Sequence, residues 1–438
     1  VKKGLVLILI ITAITIAQTR NATVLSLDQA INLAIEKNAD LKIATMEVTK
    51  SEEKLRETRS GLFPKLDIGG QYQRYINKPV IFLPPGSPLG QTLTIGSDNS
   101  YAATASLSVP LFSWSLYQGI GLASDALDLT KQNYLSIKNK IVADVKKAFL
   151  AVILTRETRD VMQQSLANAE DNLENIKKLN TAGTLSDYDV LRADVQVENL
   201  RPVVLQMENN FILSLDALKV TIGLDANQQI DVTSNMDYKE SYIIPNEQDI
   251  IDELIKNNPQ LAILDKQIKL NDKTISAEQS AYFPTLAGFG NYQYQAQAND
   301  FQFSNYNWVK TFVLGLQLQV PIFNGFKTQA RVNQAEIGLN QSVEQKRNFT
   351  EAIKTQAISI LYRIKQAVIR IQGQNKTVSQ ATEGYNIATR RLSNGLATQL
   401  EVNDAELALR QAKLNRLQAI YDLNVAEADL ENVLGRIK

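Results

Sequence analysis

Cysteine and histidine are both absent from the 438 residues. Without cysteine there is no disulfide framework, no thiolate zinc site and no acylated N-terminal cysteine. Without histidine, Ser-His-Asp and Cys-His catalysis fall together with paired-histidine metal sites. Net charge is missing too, because 46 Lys+Arg stand against 46 Asp+Glu. No long-range field therefore draws the chain to nucleic acid or anionic lipid. Carboxylate-pair chemistry survives these exclusions, but no spacing singles out a pair. A phosphate-cradling glycine motif is lacking as well. The composition implies a protein that is not an enzyme and needs no cofactor.

Long apolar runs are nearly as scarce. One stands at the start, where Lys2 and Lys3 precede "GLVLILIITAITIA" and small residues follow up to Gln18. A charged, then apolar, then small-residue order predicts a signal peptide over residues 1–17, cleaved after Ala17. The competing reading is an N-terminal anchor, for which the run is short against the about 20 residues a spanning helix needs. No later segment is long and apolar enough to span as a helix, so membrane residence would have to rest on strands.

What the chain does contain, it contains twice. "AIEKNADLKIATMEVTKSEEKLRETRSGLFPKLDIGGQYQ" from Ala34 aligns with "LIKNNPQLAILDKQIKLNDKTISAEQSAYFPTLAGFGNYQ" from Leu254. The offset is about 220 residues in the first part of each copy and about 211 in the second. Val109-Pro110 then falls on Val320-Pro321, Gly183 on Gly395, and Gly223 on Gly435. The first repeat occupies residues 18–223, the second 247–438, with an equatorial segment at 224–246 between them.

Periodicity gives each copy four parts. A helix of about 34 residues (Ser26 to Ser60; Glu247 to Ser280) carries apolar residues at helical spacing. Two strands follow, at about 65–76 and 100–110 in the first copy and about 285–298 and 308–320 in the second. Next comes a helix of about 68 residues, which at 1.5 Å per residue spans roughly 100 Å. A return helix closes the unit, Ser186 to about Gly223 or Thr398 to about Gly435. The return helix and the first helix together match the long one, so short helices stacked end to end can run beside it. Pro202 lies within a return helix and predicts a kink or break.

Prolines mark the helix–strand junctions: Pro64 and Pro284 leaving a helix, Pro110 and Pro321 entering one. Proline supplies no amide hydrogen, so it belongs where one hydrogen-bonding pattern hands over to another. Aromatic residues gather at both ends of the strands, and apolar and polar residues alternate between. Strands of about 10 residues with two aromatic girdles fit an outer-membrane barrel. Four strands cannot close one, since closed membrane barrels need at least about 8, so the protomer must oligomerise.

The duplication, the FP and VP(L/I)F junctions, and the segments "AGTLSDYDVLRAD" and "NGLATQLEVNDAE" together resemble the TolC family of bacterial outer-membrane efflux and secretion channels. The resemblance covers essentially the whole mature chain. It implies a mainly α fold with a small membrane β-barrel part, built as a homotrimer. A trimeric α-barrel tunnel would reach into the periplasm below a shared twelve-stranded β-barrel. The implied partners are a periplasmic adaptor (membrane fusion) protein, an inner-membrane transporter of RND, ABC or MFS type, and outer-membrane lipid, with no nucleic acid.

By the same resemblance, the turns after the long helices touch the adaptor through Gly183, Thr184 and Leu185, and through Gly395, Leu396 and Ala397. Glu401 and Asp404 match acidic positions that ring the family's constricted pore, with Asp189 as the first-repeat carboxylate. Threefold symmetry would bring such carboxylates together, attracting cations and raising some of their pKa values. Thr398 to Glu401 and Ser186 to Asp189 also read as capping boxes, whereas Asp404 lies beyond the box. Ala397 and Leu392 replace polar residues with which some members latch the closed tip, and Arg192 stands opposite Asp404 in the first repeat. A second reading, of another class, is a periplasmic coiled-coil adaptor or scaffold. That architecture would carry one helical hairpin flanked by soluble β-domains. A third is an enzyme with carboxylates on a helical scaffold.

Overall fold

Asparagine interrupts the first helix of each copy, and the interruption is visible in the computed structural model, which describes residues 23–233, 236, 238 and 242–436. After a short strand β1 (Thr23–Leu25), the first copy forms α1 (Leu27–Lys37) and α2 (Ala39–Ser60), not one helix of about 34 residues. Asn38 adopts ψ 132°, which ends α1, and its Oδ1 accepts the Leu41 amide at 3.2 Å to start α2. Its Nδ2 donates to the Thr221 carbonyl at 2.8 Å. One side chain thus satisfies groups that a helix break would otherwise orphan. The predicted signal peptide, 1–17, lies outside the described residues.

The strands follow. β2 (Lys65–Arg74) is linked by a small hairpin, β3 (Val80–Phe82) and β4 (Thr92–Thr94), to β5 (Asn99–Ser113). Then come the long helix α3 (Trp114–Thr181), the return helix α4 (Asp187–Ile222) and the short strand β6 (Ile230–Val232). The second copy runs α5 (Glu247–Asn257), α6 (Pro259–Gln279), β7 (Thr285–Ala298), β8 (Val309–Gln319), α7 (Lys327–Ser393) and α8 (Gln399–Val433). Its first helix breaks at the equivalent place, where Asn258 Oδ1 accepts the amides of Gln260 and Leu261 at 3.0 and 2.9 Å, and Pro259 opens α6. Proline suits that first position because its missing amide hydrogen would have had no helical partner.

The main sheet is antiparallel in the order β2-β5-β7-β8. Its register sorts the side chains cleanly. Ile68, Ala105, Tyr292 and Phe312 are cross-strand neighbours on one face, and Gly69, Thr104, Gln293 and Thr311 form a row on the other. The apolar face is bare within this chain: Ile68 is 82% and Phe312 65% exposed. Pro64 and Pro284 directly precede β2 and β7. Pro110 corrects an expectation, because β5 continues through Ser113 rather than ending at about 110. The ladder absorbs the proline through a register shift between Pro110 and Phe112, where a bulge tolerates the missing donor. Pro321 lies past β8, in the link to α7.

Two further expectations are revised. α4 runs unbroken across Pro202, which is exposed, so water can reach the carbonyl that loses its amide partner. The equatorial segment contributes a strand: β6 pairs in parallel with β1, Thr23 opposite Ile230.

Two compact units emerge, and they cut across the repeats. The first joins the chain up to Lys42, Lys138–Glu253 and the chain from Thr355, and the second is Ile43–Ile137 with Leu254–Lys354. The first unit buries Phe149, Ile176, Leu218, Ile364 and Ile420. It also ties its helices with charges: Lys146 to Glu431, Arg363 to Asp429 at 3.1 Å, and Arg370 to Asp422 at 2.9 Å. The Arg436 guanidinium grips Glu253 at 2.6 and 2.7 Å and holds that carboxyl below its usual range. The second unit contains the sheet. Among the described residues no helix is long and apolar enough to cross a membrane.

Gly223 ends α4 at φ +84°, and a Cβ there would sit 2.6 Å from the Lys37 carbonyl oxygen. A left-handed backbone costs a non-glycine residue about 1–2 kcal/mol before any clash. Gly223→Ala should therefore destabilise the protein by about 2 kcal/mol or more in denaturant unfolding. Gly338→Ala, in α7 with nothing within 4 Å of the new Cβ, should be neutral or stabilise by up to about 1 kcal/mol. Equal stability of the two variants would contradict this account of the break.

Candidate functional site at the hairpin tips

The turns joining α3 to α4 and α7 to α8 are built alike. At the first, Gly183 takes φ +75°, its amide donates to the Asn180 carbonyl at 2.8 Å, and the Thr184 amide donates to Leu179 at 2.9 Å. At the second, Gly395 takes φ +68°, with equivalent bonds to Leu392 at 2.9 Å and from Leu396 to Arg391 at 2.8 Å. This pair of bonds satisfies the last helical carbonyls and needs a left-handed residue, the role glycine fills without strain.

The return helices then start on reciprocal caps. Ser186 Oγ accepts the Asp189 amide at 3.3 Å, while the Ser186 amide donates to Asp189 Oδ2 at 3.1 Å. Thr398 and Glu401 repeat the pattern, with both bonds at 3.3 Å. Each carboxylate also faces the positive end of its helix. Glu401 has a second partner, Arg391 Nη1 at 3.4 Å, and Arg391 Nη2 donates to the Leu396 carbonyl at 2.9 Å. Arg391 thus braces both sides of its turn. Sequence reasoning passed over it, although a cation in the last turn of a helix is a recognisable signal.

Asp404 differs from both. It is exposed, and no hydrogen bond or ion pair engages it among the described residues. Its carboxylate has no local structural partner.

The six tip residues divide. Gly183, Thr184, Gly395 and Leu396 are exposed, Leu396 by 68%. Leu185 instead packs against the α3–α4 seam formed by Leu173, Ile176, Ala193 and Val197, and Ala397 packs against Ala388, Leu392 and Val402. Deeper between the hairpins, Gln399 and Glu406 are buried and Arg410 lies 3.1 Å from Glu406. Tyr385 stands beside them. Burial pushes its phenol up; the Glu406 and Asp171 charges add to this and a Thr389 hydrogen bond opposes it. The sequence shows Glu406 and Arg410 only as a four-residue spacing of opposite charges, which reads as an ordinary surface pair. Among the described residues, no group of acidic side chains is placed to hold a metal ion.

Similarity to known proteins concerns nearly the full chain. A family model described as "Outer membrane efflux protein" matches residues 30–224 and 250–436. The probable efflux pump outer membrane protein TtgC of Pseudomonas putida strain KT2440 is 21% identical over 414 residues, covering 94% of this chain and 83% of that protein. The cation efflux system protein CusC of Escherichia coli strain K12 is 21% identical over 415 residues, covering 92% of this chain and 85% of that one. The crystal structure of the Campylobacter jejuni CmeC outer membrane channel superposes with a TM-score of 0.77 at 16% identity, covering 93% and 85% of the two chains.

Because Glu401 completes a cap, its removal should be felt locally. Glu401→Ala should cost about 0.5–2 kcal/mol through the cap, and hydrogen exchange in the first turn of α8 should accelerate roughly fivefold. Glu401→Gln keeps the acceptor and should show less than half that effect. If the two variants exchange alike, the carboxylate acts through Arg391 and not through the cap.

Proposed function

The chain belongs to the outer membrane efflux protein family, and from that premise we propose that it is the passive exit duct of a tripartite efflux or type I secretion system. An inner-membrane transporter of RND, ABC or MFS type loads the duct through a periplasmic adaptor and supplies the energy. The observation that carries this reading is the four-stranded sheet. One of its faces is apolar and exposed, the other is lined by amides and hydroxyls, and both edge strands, β2 and β8, are open. In hydrocarbon an open edge is untenable, because each unpaired backbone group costs several kcal/mol. Pairing β2 of one copy with β8 of the next removes the edges, and three copies give a twelve-stranded barrel with a polar lumen. A periplasmic adaptor would have no use for such an exposed apolar face.

At the other end, the exposed turns at Gly183-Thr184 and Gly395-Leu396 serve as adaptor contacts, with Leu185 and Ala397 shaping them from beneath. Asp404 lines the closed pore, and Glu401 and Asp189 add charge close to it while capping their helices. In a trimer the unpaired Asp404 carboxylates form a ring that concentrates cations in a narrow mouth.

Planar-bilayer recording tests this. The protein should form cation-preferring pores that multivalent cations block. Asp404→Ala should fold normally, within the roughly 0.5 kcal/mol usual for exposed sites, and should lose most of the preference and the block. Pores of unchanged selectivity in Asp404→Ala would remove Asp404 from the gate, and failure of the wild type to conduct would count against the duct itself.

A further inference from the structure

Each hairpin has a dry seam of its own near the tip. Leu173, Ile176, Ala193 and Val197 bury against one another within α3 and α4, and Ala388, Leu392 and Val402 do so within α7 and α8. Where the two hairpins meet, the lining changes character. A cavity of about 10 Å3 is bounded by Asn168 and Asn172 of α3, Gln196 of α4, and Gln399, Asn403 and Glu406 of α8.

Gln399 and Glu406 are only 2% and 6% exposed. Gln399 donates through Nε2 to Asn403 Oδ1 at 2.8 Å. Its Oε1 has no hydrogen-bond partner among the described residues, and neither has Glu406 Oε2. Arg410 Nη1 lies 3.1 Å from Glu406 Oε2, yet the two make no hydrogen bond, so this buried donor is unpartnered as well. Native proteins rarely leave such groups unmatched, because each forfeits its hydration without return. A space of this size holds one water, and a buried water typically makes about three hydrogen bonds. The guanidinium already neutralises the carboxylate, which favours a neutral occupant over a cation.

We propose that one water molecule occupies this cavity, accepting from Arg410 Nη1 and donating to Glu406 Oε2 and Gln399 Oε1, and that it makes the contact between the hairpins a hydrated joint. An interdigitated apolar interface has discrete packed states and resists sliding. Hydrogen bonds through a water can be exchanged as the surfaces shift. The α7–α8 hairpin can therefore move against α3–α4 while each keeps its own dry seam. Only the consequence for opening a duct rests on the functional reading above; the joint itself is read by exchange and by crystallography.

Two measurements on the full chain in detergent test it. A high-resolution crystal structure should show an ordered water within hydrogen-bond distance of both Gln399 Oε1 and Glu406 Oε2, and side chains closed over the space with no water would overturn the proposal. The triple variant Gln399→Met, Glu406→Met, Arg410→Met replaces the polar groups with apolar side chains of similar reach. It should slow amide exchange in α8 around residues 402–412 by about tenfold, as expected when a buried charged pair gives way to apolar packing. Glu406→Gln retains an acceptor and should stay within about twofold of wild type. A triple variant that exchanges as fast as wild type, or faster, would mean that the polar groups clamp the hairpins, and the proposal would fail.

Discussion

A peptide group placed in hydrocarbon must find its hydrogen-bond partner within protein, because no water is there to supply one. The four-stranded sheet meets this condition along β5 and β7 and fails it along the outer sides of β2 and β8. Every other element is consistent with resolving that failure by assembly. The apolar face is built for lipid, with Leu66, Leu107 and Leu314 in register across the strands through Gly290. The opposite face carries Gln71, Gln293 and Gln295, which hydrogen-bond to water and would serve no purpose against acyl chains. Neither face can be exchanged for the other by a one-residue slip without inverting both.

The helices answer a different need. A helix such as α3, of 68 residues, cannot be held by propensity alone and depends on neighbours along its length. Within the first unit those neighbours are α4, α7 and α8, with apolar seams supplemented by ion pairs such as Arg370 to Asp422. Such exposed pairs contribute little singly. Their value lies in fixing which helix faces which. At the tips the chain reverses through a glycine turn followed by a capping box, so the last carbonyls of one helix and the first amides of the next are satisfied within a few residues. That economy leaves Asp404 free of local duties.

Much of this was legible in one sequence because it is local. Gly183 and Gly395 forecast the left-handed turns, Ser186 and Thr398 the caps, and alternation in Tyr101 to Val109 the faces of β5. The break at Asn258 was legible and overlooked. Asn-Pro is a helix-restart signal, but a one-residue break leaves the apolar period of Leu254 and Leu261 nearly undisturbed. Other features depend on residues far apart in the chain. β1 and β6 are three-residue strands separated by about 200 positions, too short to announce themselves. Glu406 and Arg410 look like a surface pair until the second hairpin buries them. Their environment belongs to the packing, and periodicity does not encode it.

The central claim is that the sheet is completed by other copies of the same chain. Native mass spectrometry of the protein extracted in mild detergent tests it directly, combined with circular dichroism on the same sample. The account predicts an assembly of three chains whose strand signal and oligomer are lost together on heating. A stable single chain with its strand signal intact would show that the open edges of β2 and β8 need no partner, and would contradict it.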